Sequence, residues 1–363
     1  MGVATRIAAP PGARASRKTR VMVVDDSLTV RSILSRILDA EHDIEVVGKA
    51  SSAELALAEL DDARPHVVLL DLEMPGMGGM KALPALLGAS PQIKVLVVSS
   101  LTTAGAESTL QALSMGAADT MPKPQAGEFA KGFGEALVAK VRALGQSAKP
   151  HDASSRPPLA QQRPRKTLKR PAIIGIGAST GGIHALNEFV RTLPQGLDAP
   201  ILVTQHLPSS FIPVFASQLQ TASKRNTLVA ESGMEIRPNH IYVAPGTGHL
   251  SLVQRAGRLT AAITQGPMPS GCTPSVDPML TSLATVFEGR ALAVILSGMG
   301  RDGAIGAQDL VDAGGTVLAQ DEETSAVWGM PRAVAERGLA TAILPPDKLA
   351  LRAAASLDAE AWK

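Results

Sequence analysis

The sequence is poor in aromatic residues, has a single cysteine and lacks long apolar runs. Its 363 residues include six Phe, two Trp and one Tyr, which disfavours nucleic-acid recognition by base stacking. A lone cysteine, Cys272, excludes an intramolecular disulfide framework and any zinc site built from several cysteines. No apolar run approaches the roughly 18 residues of a membrane-spanning helix. We therefore expect a cytoplasmic protein that is not inserted into a membrane.

The length and composition predict two folded units. Hydrophobic residues make up 45% of the chain and charged residues 19%, a balance typical of globular rather than disordered protein. One uninterrupted core for 363 residues would be unusual. Two domains, each able to bury its own core, are the better expectation.

The net charge of +2 conceals strong segregation along the chain. Residues 1–20 carry five basic groups and no acidic group, and residues 145–171 carry seven basic groups and one acidic group, so the remainder is net negative at −9. We interpret residues 1–19 as a disordered basic arm and residues 144–171 as an extended Pro-rich linker. The basic character therefore does not predict a DNA-binding surface.

Short apolar runs alternate with amphipathic segments on both sides of the linker. This alternation predicts repeated βα units and parallel sheets, over residues 20–143 and again over 172–363. The predicted strands of the first domain are Val21–Val24, Ile44–Gly48, Val67–Leu70, Lys94–Val98 and Ala118–Met121. Those of the second are Ile173–Ile176, Ile201–Thr204, Thr227–Ala230, Ile241–Ala244, Ala291–Leu296 and Thr316–Ala319.

Charged and hydroxyl side chains follow the predicted strands of the first domain, where parallel sheets bind ligands. Asp25 and Asp26 follow the first strand, Asp71 the third, Ser99 the fourth and Lys123 the fifth. Three carboxylates brought together repel one another unless a divalent cation neutralises them, and oxygen ligands suit Mg²⁺. The lysine is then available to an incoming phosphoryl group. The alternative is that the acids cap helices and the lysine is solvated.

These strand ends also carry a recognisable set of motifs: Val-Val-Asp25-Asp26-Ser, Leu-Leu-Asp71-Leu-Glu-Met74-Pro75-Gly, Val-Val-Ser99-Ser and Pro-Lys123-Pro. With them, residues 20–143 resemble the receiver domain of two-component response regulators. The resemblance implies a flavodoxin-like five-stranded sheet and phosphorylation of an aspartate. It assigns the phosphate to Asp71, Mg²⁺ to Asp25, Asp26, Asp71 and the backbone of Glu73, and phosphoryl sensing to Ser99 and Lys123. Thr120 stands where the family often has Phe or Tyr, so the relay is expected to differ.

A serine follows the first strand of the second domain. Ser179 lies in Gly177-Ala-Ser179-Thr-Gly181, a Gly-x-Ser-x-Gly pattern typical of a nucleophile elbow. A serine needs a base and a group that orients the base, and His206 and Asp302 follow two further strands. We expect the three to meet at one edge of the sheet. Their order, Ser, His, Asp, argues against the α/β-hydrolase fold.

The same residues allow less specific interpretations. Gly175, Gly177 and Gly181 fit a dinucleotide-binding fingerprint, although its acidic residue for the ribose is absent and Gln205-His206 stands there instead. Taken singly, a histidine of this kind is often a buried structural residue, and the serine and the aspartate could cap helices. Cys272 has no histidine beside it in sequence and is interpreted as an incidental thiol. His249 is interpreted as structural or surface, with a place in the cleft as the alternative.

Further motifs run through the second domain: Gly177-Ala-Ser179-Thr-Gly-Gly, Thr204-Gln-His206, Tyr242-Val-Ala-Pro245-Gly, Pro274-Ser-Val-Asp277, Ser297-Gly-Met299-Gly-x-Asp302-Gly and Trp328-Gly-Met-Pro331. By these motifs it resembles the catalytic domain of chemotaxis protein-glutamate methylesterases, the CheB family. The resemblance implies a Rossmann-like domain with Ser179 as nucleophile, His206 as general base and acid, and Asp302 as orienting carboxylate. Thr180 and Met299 are candidate oxyanion donors. One departure, Gly271-Cys272-Thr273, replaces a usually basic or His-containing segment and is expected to affect substrate docking.

The implied activity is hydrolysis of glutamyl methyl esters on methyl-accepting chemotaxis receptors to glutamate and methanol, with deamidation of particular glutamines. The ester chemistry is expected to need no cofactor. The expected partners are the receptors and a chemotaxis histidine kinase as phosphodonor, without nucleic acid, and the expected state is a monomer. Through its tether, the receiver is expected to cover the catalytic face until it is phosphorylated. A catalytically inactive adaptor is the alternative function.

Overall fold

The computed structural model describes residues 18–90, 92–100, 102–124, 131–147 and 169–357. Most of the predicted arm and most of the predicted linker lie outside these residues. The described residues form two α/β domains, as predicted. No helix among them is long and apolar enough to cross a lipid bilayer.

The N-terminal domain is a five-stranded parallel sheet with the order β2-β1-β3-β4-β5. Its strands are β1 (Thr19–Val24), β2 (Ile44–Ala50), β3 (Val67–Asp71), β4 (Lys94–Ser99) and β5 (Asp119–Pro122). Its helices are α1 (Leu28–Asp39), α2 (Ala53–Ala63), α3 (Gly78–Ala89), α4 (Thr103–Ser114) and α5 (Lys131–Ser147). The central strands are almost wholly apolar because helices cover both faces of the sheet. The predicted flavodoxin-like sheet is confirmed.

The C-terminal domain is built on a seven-stranded parallel sheet with the order β14-β13-β12-β6-β7-β9-β8. Its strands are β6 (Ile173–Ala178), β7 (Ile201–Gln205), β8 (Asn226–Val229), β9 (His240–Val243), β12 (Ala291–Ile295), β13 (Thr316–Gln320) and β14 (Ala342–Leu344). Its helices are α6 (Gly182–Thr192), α7 (Ile212–Ser223), α8 (Val276–Phe287), α9 (Ala304–Asp312), α10 (Met330–Glu336) and α11 (Pro346–Ser356). The predicted parallel sheet is confirmed.

Three strands of this domain were absent from the sequence-based prediction. The antiparallel hairpin of β10 (His249–Arg255) and β11 (Arg258–Thr264) lies outside the main sheet, and β14 is a three-residue edge strand. Ala256 and Gly257 both have positive φ at the hairpin turn, as a two-residue turn of this kind requires. The Ala-Gly pair is a weaker hairpin signal than Asn-Gly, and this explains the omission.

Near the centre of both sheets the strand order reverses, and crevices for ligands open there beyond the carboxyl ends of the strands. The reversal falls between β1 and β3 in the N-terminal domain and between β6 and β12 in the C-terminal domain. Asp25 and Asp71 flank the first reversal, whereas Ser179 and Asp302 flank the second. The topology thus gathers the predicted site residues of each domain.

The two domains pack against each other through α4, which contacts α6, α7 and the short 3₁₀ turn Ser209–Phe211. Leu110 and Leu113 of α4 belong to the same buried hydrophobic cluster as Ile183 and Phe211. The amide Nδ2 of Asn187 donates to Ser114 Oγ at 3.0 Å across the boundary. One face of α4 is therefore an interdomain surface.

Arg142 of α5 forms a bidentate ion pair with the segment that precedes β2. Its guanidinium donates to both carboxylate oxygens of Asp43, at 2.8 and 2.7 Å, and also to Glu41. The hydrogen bonds from Arg142 lower the pKa of Asp43 to about 2. Because the folded-state pKa is depressed, the pair contributes stability above the usual carboxyl range of about 4, and that stability is lost as the pH falls towards 2.

We expect Arg142→Ala to reduce the free energy of unfolding at pH 7 by about 1 kcal/mol or less, since the pair is partly solvent-exposed. Near pH 2 the variant and the parent should be equally stable. Urea unfolding at the two pH values measures both. Arg36→Ala, which removes an exposed arginine of α1, is the matched control, and an equal effect of both variants at pH 7 contradicts the assignment.

Candidate active site and phosphorylation site

The acidic residues of the N-terminal domain form one cluster at the carboxyl edge of its sheet. Carboxylate oxygens of Asp25, Asp26 and Asp71 lie within 4.8 Å of one another. Asp25 and Asp71 are buried, whereas Asp26 is exposed. Burial raises the pKa of both buried carboxyls, opposed by the hydrogen bond from Ser27 at Asp25 and by Lys123 at Asp71. The cluster is an electrostatically costly arrangement that a cation would relieve.

Lys123 provides part of that relief. Its Nζ donates to Asp71 Oδ2 at 2.6 Å and lies 3.8 Å from Asp25 Oδ2. Burial, the largest single influence, lowers the pKa of Lys123, but the hydrogen bond to Asp71 and the negative charges of the three aspartates together outweigh it, so the net shift is upward. Asp25 Oδ2 is buried and has no hydrogen-bond partner among the described residues. An unsatisfied carboxylate oxygen in an all-oxygen set fits a hard cation such as Mg²⁺.

The other predicted phosphorylation-site residues also lie at this edge. The backbone N–H of Glu73 donates to Asp71 Oδ1 at 3.0 Å, which brings its main chain to the cluster. Ser99 Oγ accepts a 2.7 Å hydrogen bond from Thr109 Oγ1, and both side chains are buried. Thr109 belongs to α4, the interdomain helix. Thr120 Oγ1 is buried with no hydrogen-bond partner in the described part of the chain.

Ser179 follows β6 on a tight turn into α6. Its backbone N–H donates to Ser297 O at 3.0 Å, and Gly181 adopts φ +76° at the start of the helix. A Cβ at Gly181 would lie 2.3 Å from Ala326 Cβ, so both its conformation and its surroundings require glycine. The hydroxyl of Ser179 makes no hydrogen bond to the residues that the structure describes, and the residue is half-buried.

His206 lies beside Ser179 because their strands are neighbours. Ala178 pairs with Gln205 in the β6–β7 register, and the backbone N–H of His206 donates to Ala178 O at 3.1 Å. The next residue on each strand is Ser179 and His206 respectively. His206 Nε2 is 2.8 Å from Asp302 Oδ2. The structure thus joins the imidazole to the carboxylate and places Ser179 and His206 at adjacent strand ends, without a hydrogen bond between the serine hydroxyl and the ring.

Asp302 is held firmly in its buried position. Besides His206, it accepts hydrogen bonds from Ser275 Oγ at 2.7 Å, from the backbone N–H of Val276 at 2.7 Å and from that of Gly303 at 3.0 Å. Burial raises its pKa, but the hydrogen bonds, that of His206 foremost, outweigh it and lower the pKa. For His206, burial opposes the charged form, yet the contacts with Asp302 and Cys272 raise its pKa to about 9.

Two residues support this arrangement: Asp277, which had no role assigned from the sequence, and His249, which was interpreted as structural or surface. Buried His249 accepts the backbone N–H of Ser275 on Nδ1 at 3.0 Å, and its Nε2 bonds Gly266 O at 2.8 Å. Asp277 accepts the N–H groups of Ile305 and Gly306 at 3.0 and 2.9 Å, which caps α9 directly after the Asp302 turn. Both fix the backbone around Asp302. Asp277 lies in the motif Pro274-Ser-Val-Asp277, which could have drawn attention to it. The position of His249 could not be predicted because the β10–β11 hairpin, which begins at this residue, was not predicted.

Cys272 lies close to His206, although nothing in the sequence places them together. One donor atom from each of His206, Cys272 and Asp302 lies within 4.8 Å of the others. Cys272 has no histidine beside it along the chain. In space, the loop before α8 brings the thiol to the end of β7.

The candidate oxyanion donors are the residue after Ser179 and the residue after Gly298, where an added Cβ would lie 2.9 Å from Ser179 Cβ. The backbone N–H groups of Thr180 and Met299 make no hydrogen bond to other described residues, and Met299 is 40% exposed. The Thr180 hydroxyl donates to Asp119 Oδ2 of the N-terminal domain at 2.5 Å, and the N–H of Gly181 donates to Ala118 O at 2.5 Å. The N-terminal domain therefore binds directly to the turn that carries Ser179.

This contact closes the space in front of the serine. A cavity lined by Leu113, Ala118 and Asp119 on one side and by Ser179, Gly181 and Gln205 on the other has a volume of only about 10 Å³. That is about the least space that holds one water molecule.

Comparisons with known proteins match both domains of the chain. The CheB methylesterase family model matches residues 174–353, and the response regulator receiver domain model matches residues 21–130. The chain is 40% identical over 362 residues to the protein-glutamate methylesterase/protein-glutamine glutaminase of Azospirillum brasilense, covering 93% of this chain and 92% of the relative. It is 42% identical over 341 residues to protein-glutamate methylesterase/protein-glutamine glutaminase 2 of Caulobacter vibrioides, covering 91% of this chain and 96% of the relative.

A solved structure is similar to the C-terminal domain. The crystal structure of the Thermotoga maritima CheB methylesterase catalytic domain matches with a TM-score of 0.50 and 37% sequence identity. The match covers 51% of this chain and 98% of that domain. Identity of about 40% with full-length relatives extends the likeness over both domains. The chain therefore belongs to the CheB methylesterase family, in the form that carries an N-terminal receiver domain.

Proposed function

We propose that the protein hydrolyses γ-methyl esters of glutamate on chemotaxis receptors, releasing methanol, and that it also deamidates receptor glutamines. The observation that carries this proposal is the position of Ser179 beside the hydrogen-bonded pair His206 and Asp302, at the reversal point of the sheet. The names of the relatives support the choice of substrate. Because receptor signalling helices and a histidine kinase are the proposed partners, the activity belongs in the cytoplasm.

The chemistry is acyl transfer in two steps. With Nε2 bonded to Asp302, Nδ1 of the neutral form of His206 is the nitrogen that takes the proton of Ser179 as the hydroxyl attacks the ester carbonyl. The tetrahedral intermediate collapses, and the proton passes to the departing methoxide, which leaves as methanol. Water then attacks the acyl-serine by the same route and releases glutamate. For a glutamine substrate the leaving group is ammonia.

The oxyanion of each intermediate needs hydrogen-bond donors that are already in place. The free backbone N–H groups of Thr180 and Met299 are our candidates. One such donor is typically worth about 3 kcal/mol of the activation barrier. Ser297 Oγ links two segments near this site. It donates a hydrogen bond to Thr180 O at 2.7 Å and accepts one from the backbone N–H of Val327 at 3.1 Å.

The receiver domain inhibits the enzyme by occupying the entrance. Ala118 and Asp119 bind the residues that directly follow Ser179, and the cavity at this contact has a volume of only about 10 Å³. A tethered domain has a high effective concentration, so a modest interface keeps the site closed. Asp119 also pairs with Lys140 of α5, which couples this contact to the receiver's last helix.

Phosphorylation of Asp71 is the proposed signal for opening. The all-oxygen set of Asp25, Asp26, Asp71 and the Glu73 backbone would hold Mg²⁺, which neutralises phosphoryl charge when bound. Lys123 then exchanges its contact with Asp71 for the phosphoryl group. Ser99 turns to the same group and gives up its hydrogen bond from Thr109. Helix α4 thereby loses a buried tie to the sheet and shifts against the catalytic domain.

The test of this scheme is methanol release from methylated receptor, with and without a small phosphodonor. We expect the phosphodonor to raise the rate of the full chain several-fold and to leave the rate of Asp71→Asn unchanged, because the acceptor oxygen is replaced by an amide. Equal rates for the full chain and for residues 165–363, with no response to phosphodonor, contradict inhibition by the receiver. Binding of receptor without any methanol release would instead indicate an inactive adaptor.

The hydrogen bond between Thr109 and Ser99 gives a second test of regulation. A buried hydrogen bond is worth about 1 kcal/mol, so Thr109→Val is expected to raise the unstimulated rate about five-fold and to reduce the stimulation by phosphodonor by a similar factor. Ser108→Ala removes a hydroxyl from the same helix without touching Ser99 and is the control. Equal behaviour of the two variants rejects Thr109 as the link.

A further inference from the structure

Cys272 is the one member of the active-site cluster to which the hydrolytic mechanism gives no role. Its sulfur, an imidazole nitrogen of His206 and a carboxylate oxygen of Asp302 lie within 4.8 Å of one another. The three side chains come from separate segments: the loop before α8, the end of β7 and the turn before α9. Their convergence is a property of the fold and not of local sequence.

We propose that His206, Cys272 and Asp302 form a binding site for Zn²⁺, and that the bound ion inhibits hydrolysis. Zn²⁺ prefers sulfur, nitrogen and carboxylate ligands at about 2.0–2.3 Å in a tetrahedral set, often with water as the fourth ligand. Donor atoms this close can converge on one ion by side-chain rotation. They bind as thiolate, neutral imidazole and carboxylate, so the protons that they carry leave to solvent.

The types of ligand separate this site from the receiver cluster. Asp25, Asp26 and Asp71 offer oxygen alone, which suits a hard cation. A thiolate and an imidazole instead favour borderline-soft ions such as Zn²⁺ over Mg²⁺. One chain thus carries two cation sites with different preferences.

The surroundings hold the ligands in place and leave the thiol accessible. Ser275 Oγ and the N–H of Gly303 bind Asp302 Oδ1, and such outer hydrogen bonds orient a ligating carboxylate. Cys272 is half-buried, and the bond from its backbone N–H to Ser270 Oγ at 3.3 Å fixes its loop. An ion can therefore reach the sulfur from solvent.

The inhibitory consequence rests on the proposed function, whereas binding does not. A zinc ion on His206 holds the imidazole away from the serine proton and occupies the space beside Ser179. Asp302 would at the same time exchange its hydrogen bond to the ring for the metal.

Co²⁺ is the probe for the site, because a cobalt–thiolate bond gives a charge-transfer absorption that oxygen ligands cannot give. Titration of the full chain should produce this band with saturation at one equivalent, and Zn²⁺ should abolish it by displacement. Loss of an outer-shell partner typically weakens metal binding about 10- to 100-fold, so Cys272→Ser and His206→Gln should weaken it by at least about 100-fold. His42→Gln, which removes an exposed imidazole, should bind like the parent.

Absence of the band in folded parent protein, or unchanged cobalt affinity in Cys272→Ser, overturns the site. Inhibition is read separately, as the ratio of methanol release with and without Zn²⁺ for each variant. Inhibition by zinc is supported if Zn²⁺ lowers methanol release by the parent but not by Cys272→Ser. It is overturned if the parent binds one zinc ion and keeps its full rate of methanol release. If the parent releases no methanol even without metal, the proposed function fails, and the cobalt spectrum still decides the site.

Discussion

Replacing Ser179 with alanine is expected to reduce methanol release by about 10⁶-fold, the loss typical of removing a serine hydrolase nucleophile. Only the hydroxyl disappears, and with it the covalent acyl intermediate. Since the hydroxyl makes no hydrogen bond to the described residues and Cβ remains to pack against Gly298, the variant should unfold at the same temperature as the parent. Single-turnover assays on methylated receptor and a thermal melt measure both effects.

Two outcomes would contradict this assignment. A purified Ser179→Ala protein with parental activity would show that another group attacks the ester. A variant that loses both its activity and its thermal stability would show that Ser179 has a structural role and would not support a catalytic one. Cys272→Ala is the matched comparison for a competing nucleophile, and we expect it to remain far more active than Ser179→Ala.

The second large effect is expected at Asp302. Asp302→Asn should lower kcat by about 10⁴-fold, as for other catalytic triads in which the orienting carboxylate becomes an amide. The carboxylate accepts hydrogen bonds at both oxygens from His206, Ser275 and two backbone N–H groups. An amide cannot accept hydrogen bonds at both positions. The imidazole of His206 therefore loses the group that orients it, and its charged form loses the carboxylate that stabilises it. The KM should change little, because Asp302 is buried behind His206.

Ser275→Ala is the matched control for Asp302→Asn. It removes one hydrogen bond to the carboxylate and leaves the charge in place, and a bond of this kind to a charged group is worth about 1.5–3 kcal/mol. We therefore expect a loss of about 10- to 100-fold, well short of that for Asp302→Asn. Similar losses for the two variants would mean that the geometry of this loop matters and the carboxylate charge does not.

Much of the molecule was predictable from its pattern of apolar runs and strand-end residues. Parallel strands buried on both faces appear as short apolar segments, so both main sheets were located closely. Ser179, His206 and Asp302 were predictable as a group because strand ends in a parallel sheet meet at one edge. The hairpin β10–β11 was not predictable, because its Ala-Gly turn is a weak signal. The hydrogen bond of His249 to Ser275 was not predictable either, because the two residues belong to different elements.

Two parallel α/β domains, the acidic cluster, Lys123 and the serine turn were predictable without coordinates, because these features depend on local periodicity and on residues adjacent to strands. The approach of Cys272 to His206 and the hydrogen bond from Thr180 to Asp119 were visible only in the folded molecule. Each of these contacts joins segments far apart in the chain. Local sequence carries no information on which distant surfaces meet, since that depends on how whole elements pack.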